Sequence, residues 1–258
     1  MLIKSKETHG FKLKGHDGEI GKVKEFYFDD AHWAIRYVVV DTGNWLMDKQ
    51  VLISPYALVG IDKEKKHIDV NLTKKQIEDS PLLSSDKPVS LQFETDYYAY
   101  YGWPMYWSGR EMWGDYNYII RDRKRQVEHA KEKKKLDHHL RSTNNVRGYH
   151  IQATDGEIGH LDDFIIDDEV WAIRYLVVDT QNWWPGKNVL IPPKWILHVI
   201  WSESKVDVSV TRKSIENSPE YTKKSLITRD YEEKLHGYYN HKGYWVTEQA
   251  EKKISDKK

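Results

Sequence analysis

The segment GFKLKGHDGEIGKVKEFYFDDAHWAIRYVVVDTGNW, which begins at Gly10, returns as GYHIQATDGEIGHLDDFIIDDEVWAIRYLVVDTQNW from Gly148. The register holds without a gap from Gly10–Pro81 to Gly148–Pro219, and roughly 33 of the 72 aligned pairs are identical. Such identity marks a tandem duplication. The unit is longer than a solenoid repeat of about 20–50 residues and is large enough to be a small domain. Whatever fold one copy adopts must also suit the other, so an element counts as real only if both sequences support it.

Both copies carry strand signals throughout. Asp17-Gly18 and Asp155-Gly156 are hairpin-turn dipeptides. Asp29-Asp30 and Asp167-Asp168 fall where a second turn is required, just before AIRYVVVD and AIRYLVVD. Those β-branched runs read as central, largely buried strands. KQVLISP and KNVLIPP form a further strand, stopped by Pro55 and Pro193. HIDVNL and KVDVSV alternate with period two, as half-buried strands do. TKKQIEDSP and TRKSIENSP then read as one helical turn with Thr73 or Thr211 as N-cap. Gln76 completes a capping box in the first copy alone on this reading. Five or six short strands in about 70 residues cannot form an open sheet without exposed edges, and closure into a small barrel is the economical answer. The expected fold class is therefore mainly β: two small β-barrels in tandem, joined by an aromatic-rich segment and a charged helix.

Composition narrows the chemistry. The 40 Lys and Arg balance the 40 Asp and Glu, which excludes a basic field over the whole molecule for nucleic acid, though not a local patch. The absence of cysteine removes disulfides, thiolate catalysis and Cys-ligated metals. Trp, Tyr and Phe number 11, 17 and 5, too many for a disordered chain. The start MLIKSKETHGFKLKG has no signal-peptide core, and no run approaches the roughly 18 apolar residues of a membrane span. A soluble, cytoplasmic protein is expected.

The expected organisation is a first barrel at 1–81, an aromatic-rich extension at 82–118, a charged helical linker at 119–147, a second barrel at 148–219 and a C-terminal extension with charged tail at 220–258. In the linker, RDRKRQVEHAKEKKKLDHHLR has strong helix formers and few apolar residues, and predicts a solvated helix of roughly 20 residues with net charge about +5.

DGEIG, the acidic turn, WAIRYVVVDTGNW, VLISP and TKKQIEDSP occur in this order, and occur twice. Together they resemble the PRC-barrel domain. The DYYAYYGWPMYW run at Asp96–Trp107 is also similar to the segment trailing the barrel in stand-alone bacterial members, and DYEEKLHGYY at Asp230–Tyr239 is a weaker second version. The family includes the cytoplasmic domain of the photosynthetic reaction centre H subunit and the C-terminal domain of a ribosome-maturation factor. The resemblance implies a compact barrel used as an adaptor surface, with stress adaptation among the roles of free-standing members, and it brings no catalytic motif. The reaction-centre subunit has a membrane helix ahead of its barrel. Nothing before Gly10 has that character, so a direct role as that subunit is not expected.

The candidate residues divide into four sets. The turn carboxylates Asp17, Glu19, Asp29 and Asp30, with Asp155, Glu157, Asp167 and Asp168, fit backbone capping better than acid–base work, because catalytic pairs are seldom kept twice. Arg36 and Arg174 interrupt the most apolar strand and need a partner if buried. Asp41 or Asp179 on the same strand, or a turn carboxylate, can serve; an outward-facing guanidinium that binds a partner's carboxylate or phosphate is the alternative. The histidines show no chelating spacing: His138-His139 diverge by about 100° on a helix, His236 and His241 flank Gly237, and His9 and His129 stand alone. Neither a metal nor any other cofactor is expected.

The fourth set is the aromatic cluster Tyr97, Tyr98, Tyr100, Tyr101, Trp103, Tyr106, Trp107, Trp113, Tyr116 and Tyr118. It is the best candidate for an interaction surface, since Tyr and Trp dominate interface hot spots and also stack on bases. Packing of these rings on the barrel is the competing reading. The adjacent basic residues Arg121, Arg123, Lys124, Arg125, Lys131, Lys133, Lys134 and Lys135 offer phosphate contacts. The leading expectation is a non-enzymatic module that binds a protein partner or a second copy of itself. RNA or ribosome-assembly association is the alternative.

Overall fold

The computed structural model describes residues 1–46, 49–84, 89–107, 140–180, 187–222, 226–246 and 248. Its contacts divide the chain into two compact units. One gathers Ile3–Asn145 with Ile166–Ile173, the other Val146–Ile165 with the chain from Arg174 onward.

In the first unit the strands are β1 (Lys12–Gly15), β2 (Gly18–Asp29), β3 (Ala34–Asp41), β4 (Lys49–Ile53), β5 (Leu58–Asp62) and β6 (His67–Val70). The order across the sheet is β4-β3-β2-β1-β6-β5. The β1–β6 pair is parallel and its neighbours are antiparallel. Helix α1 (Lys74–Glu78) comes after β6, and α2 (Leu91–Tyr101) follows the short strand Leu83–Ser84.

The second unit repeats this plan with β7 (His150–Ala153), β8 (Gly156–Asp167), β9 (Ala172–Asp179), β10 (Asn188–Ile191), β11 (Ile196–Ile200), β12 (Lys205–Val208), α3 (Arg212–Glu216) and α4 (Arg229–Tyr238). Its order is β10-β9-β8-β7-β12-β11, again with one parallel pair, β7–β12. The chain is mainly β, as expected. Closure is not: among the described pairings no ladder joins β4 to β5, or β10 to β11, and the outer side of β4 pairs instead with the short strand Leu83–Ser84. The chain passes between those edges through a 3-10 turn at Pro55–Ala57 or Pro193–Trp195, where proline has no N–H to extend a ladder.

The duplicated motifs explain themselves locally. Asp17 caps a helix distant in sequence: its carboxylate accepts the Lys74 N–H at 2.8 Å, as Asp155 accepts that of Arg212 at 2.7 Å. The hairpin turn and the start of α1 or α3 are thereby locked together. The second glycine of DGEIG sits at a close crossing, because a side chain on Gly21 or Gly159 would collide with the carbonyl of Asp41 or Asp179. Trp33 and Trp171 hold left-handed backbone, φ 54° and 52°, at the end of the acidic turn. That costs a non-glycine residue roughly 1 kcal/mol or more, and in the first unit the Trp33 ring is buried and stacks on Phe28 at 5.3 Å. The capping box of Thr73 with Gln76 is present, and one of Thr211 with Ser214 accompanies it. The sequence limits the box to Gln76, but the Ser214 hydroxyl also accepts the Thr211 N–H, at 3.1 Å.

Candidate functional site

β3 is buried from Ala34 to Val40, so both of its faces are covered. One face lies under α2, and this creates a polar problem, because Arg36 and Tyr37 are wholly buried. Arg36 donates from Nη2 to Asp29 Oδ2 at 3.1 Å. The same oxygen lies 2.6 Å from His32 Nδ1, and Asp29 Oδ1 accepts the Ala31 N–H at 2.8 Å. Burial alone would raise the Asp29 carboxyl, but the Arg36 guanidinium and the His32 contacts hold it well below the usual carboxylate range. Of the partners the sequence allowed, the turn carboxylate is the one used; Asp41 is exposed.

The other face of the guanidinium is covered by Tyr106, whose ring centroid is 4.1 Å from Arg36 Cζ. Helix α2 brings Glu94 beside these groups. Glu94 Oε1 accepts the hydroxyls of Tyr37 at 2.9 Å and Tyr106 at 2.8 Å. Burial nonetheless raises the Glu94 carboxyl to about 7. The tyrosines of α2 fasten the helix down: Tyr97 donates to the Leu52 carbonyl at 2.8 Å, Tyr98 meets Ser54 Oγ at 3.2 Å, and Tyr100 donates to the Gln76 carbonyl at 3.0 Å. Beyond the helix, Trp103 stacks on Tyr101 at 4.4 Å and on Tyr56 at 5.7 Å, all three half-buried.

The second unit builds a related arrangement from partly different residues. Tyr175 donates to Glu232 Oε1 at 2.8 Å and lies 3.1 Å from His236 Nε2. Arg174 is covered by Tyr244 at 3.8 Å and pairs with Glu248 at 2.8 Å. Burial raises the Glu232 carboxyl and, with the nearby His241 and Lys194 charges, pushes His236 down to about 4, so this imidazole is neutral. The offset that carries Gly10 onto Gly148 also carries Glu94, Tyr100, Tyr101, Tyr106 and Trp107 onto Glu232, Tyr238, Tyr239, Tyr244 and Trp245. It further pairs the strand Leu2–Lys4 and helical turn Ser5–Thr8 with Leu140–Ser142 and Thr143–Val146. The duplicated unit thus includes the covering helix and the aromatic residue over the arginine.

The PRC-barrel domain model matches residues 15–77 and 139–214, more than half of the chain. The chain belongs to the PRC-barrel family. No curated protein matches it. Among the described residues of this PRC-barrel protein, no cluster of three or more His, Asp or Glu is placed to hold a metal ion, and no helix is long and apolar enough to cross a membrane.

The residues singled out from the sequence fall into three groups. Tyr97, Tyr98 and Tyr106 are at most 3% exposed, so they bind the helix to the sheet and cannot touch a partner. The reason is the packing demand of a bare sheet face, which α2 meets with large rings. Tyr101, Trp103 and Trp107 are half-buried and Tyr100 is exposed, leaving an aromatic rim. Trp113, Tyr116 and Tyr118 lie outside the described residues, as do Arg121, Arg123, Lys124, Arg125, Lys131, Lys133, Lys134 and Lys135 with the charged helix predicted for them. Sequence reasoning missed Glu94 and Glu232. Extending the repeat register past Pro81 would have found them, as an identical acidic residue at the matching position of the two covering helices.

Proposed function

We propose that this PRC-barrel protein is a non-enzymatic interaction module that engages a protein partner through the aromatic rim of the first unit. The observation that carries the reading is the stack of Tyr101, Trp103 and Tyr56, half-buried with Met105 and Trp107 beside it. Rings fixed by packing on one side and open on the other lose little entropy on contact and present large amphipathic area, the character of interface hot spots. The titratable groups beneath the rim serve the fold: Asp29 compensates Arg36, and Glu94 collects two phenol protons. Buried and mutually satisfied, they are poorly placed for acid–base chemistry on a substrate.

Affinity capture of the tagged protein from its native extract, with and without RNase, tests this reading. A defined protein that survives RNase and is lost in Trp103→Ala supports it. Recovery of ribosomal proteins that vanish with RNase would overturn it in favour of RNA association, and recovery of the bait alone would leave a homo-oligomer in its place.

A further inference from the structure

Each unit ends its ladder on an edge strand, β5 in the first and β11 in the second. At the opposite ends β4 pairs with Leu83–Ser84, and Asn188 of β10 bridges to Tyr221. Beyond β5 and β11 no further strand is paired among the described residues. An uncovered edge presents backbone N–H and C=O groups to any strand that fits, and proteins blunt it with charged side chains, bulges or short length. Both edges carry a bulge, between Leu58 and Gly60 in β5 and between Ile196 and His198 in β11. The residues after the bulge differ. In the first copy they are Gly60-Ile61-Asp62, leading into Lys63-Glu64-Lys65-Lys66. The same positions of the second copy are His198-Val199-Ile200 and Trp201-Ser202-Glu203-Ser204. Where the first edge has a strand-weakening glycine, a carboxylate and then a lysine, the second has His198, Ile200 and Trp201. β11 holds no Asp, Glu, Lys or Arg, and its Leu197 is 53% exposed beside an exposed His198.

We propose that β11 is a dimerisation edge: two copies of the chain pair β11 with β11, antiparallel about a twofold axis, and the sheet of the second unit continues from one copy into the other. An axis through Val199 sets that residue against its own counterpart and each His198 against an Ile200. With the imidazole neutral, the paired strands bring no charge into the ladder, and Val and Ile suit a pleated, half-buried surface. The same axis drawn through Ile61 of β5 sets Asp62 against Gly60 on both sides, so a carboxylate is desolvated twice. An identical strand is thus the partner that β11 fits. Because β5 is blunted, each chain offers one such edge, and pairing closes at two copies instead of running on into a fibre. A strand of five residues, about 17 Å long, makes a small contact, so a weak dimer in exchange with monomer is expected. The pairing uses neither Trp103 nor the rings around it, and its failure leaves the protein-partner reading standing.

Sedimentation velocity of the full chain from about 1 μM to about 1 mM tests the pairing. The wild type should pass from monomer to dimer with no larger species. Leu197→Lys should weaken dimerisation at least about tenfold, since one substitution enters a twofold interface twice. Ile200→Asp, which installs the residue the first copy carries, should do the same. Val59→Lys, at the position of β5 that matches Leu197 and is 71% exposed, should leave the dimer unchanged. Circular dichroism identifies any variant that fails to fold. Hydrogen exchange of wild-type residues 197–200 needs no substitution, and should be slower at high than at low protein concentration. A monomer throughout the range, species beyond the dimer, a dimer indifferent to both β11 substitutions or lost in Val59→Lys, or exchange at 197–200 independent of concentration overturns the proposal.

Discussion

Glu94 offers the sharpest quantitative test of the buried network. Its side chain is 4% exposed, and Tyr37 and Tyr106 donate to one of its oxygens. Burial raises its carboxyl from 4.5 to about 7; the phenol hydrogen bonds and Arg36 oppose the rise, while the Asp29 charge adds to it. With a folded-state value above the unfolded one, the folded chain binds more protons between those limits. The stability contribution is therefore complete below pH 4.5 and is lost as pH rises through 7. At about 1.4 kcal/mol per pH unit the full span is about 3 kcal/mol, of which about 2 kcal/mol falls between pH 5.5 and 8. Glu94→Gln preserves shape and an acceptor oxygen but cannot ionise. In urea unfolding followed by tryptophan fluorescence, the variant should gain about 2 kcal/mol relative to wild type between those two pH values. The comparison must be a difference between proteins, because His236 titrates the other way. Its value is pushed down to about 4, so it takes up a proton on unfolding, and its contribution grows as pH rises from about 4 to 6.5. That term cancels between wild type and variant. A wild-type-to-variant difference equal at both pH values, within about 0.5 kcal/mol, would refute the argument that the site penalises the ionised carboxylate.

The geometry sets three further outcomes. Asp17→Ala and Asp155→Ala should each cost about 1 kcal/mol in thermal or urea unfolding, through loss of the cap on Lys74 or Arg212; Asp79→Ala, which breaks an exposed ion pair with Lys75, should leave the unfolding midpoint nearly unchanged. Gly159→Ala should destabilise the second unit by at least about 2 kcal/mol, because the added carbon meets the Asp179 carbonyl; a near-neutral value in urea unfolding would show that this crossing relaxes. Lys187→Met should cost about 1–3 kcal/mol in the same assay, since Nζ donates to the carbonyls of Ile215, Glu216 and Ser218 at the end of α3, whereas Lys49→Met at the matching exposed position should be nearly silent.

The strands were legible because each rests on a local signal stated twice. Asp-Gly turns, the β-branched AIRYVVVD run and the proline stops act over a few residues, and any accident of one copy is filtered by the other. The capping box at Thr211 was not legible: a Ser at the third position is a weaker signal than Gln, although its hydroxyl accepts the same N–H. Barrel closure was inferred from the general cost of free edges, and the chain meets that cost partly with 3-10 turns and covering helices instead of a continuous ladder. The aromatic cluster was visible as composition, but composition does not say which rings face inward. Tyr97 and Tyr98 are adjacent and both buried, because the first points at Leu52 and the second at Ser54. The network at Glu94 depends on contacts some 57 residues apart, as between Tyr37 and Glu94, and no local pattern announces it.

The contrast between Arg36 and Arg174 leads to a prediction about order in time as well as in space. An arginine on a strand covered on both faces must be compensated, and the cost of leaving it bare is several kcal/mol. In the first unit compensation is local, since Asp29 and Arg36 flank one hairpin and meet as soon as it forms. In the second, one partner of Arg174 is Glu248, so that pair forms only after the segment past α4 has been placed. Loss of the Glu248 carboxylate should therefore loosen α4 and leave α2 untouched. In native-state hydrogen exchange, Glu248→Gln is expected to speed exchange of the amides in residues 232–238 severalfold while those in residues 94–101 keep their wild-type rates. Uniform protection in both helices would mean that other groups around Arg174 suffice to compensate it and that Glu248 is peripheral. Selective loosening would show that the second unit relies on an ion pair from beyond its covering helix, where the first unit's Arg36–Asp29 pair lies within one hairpin.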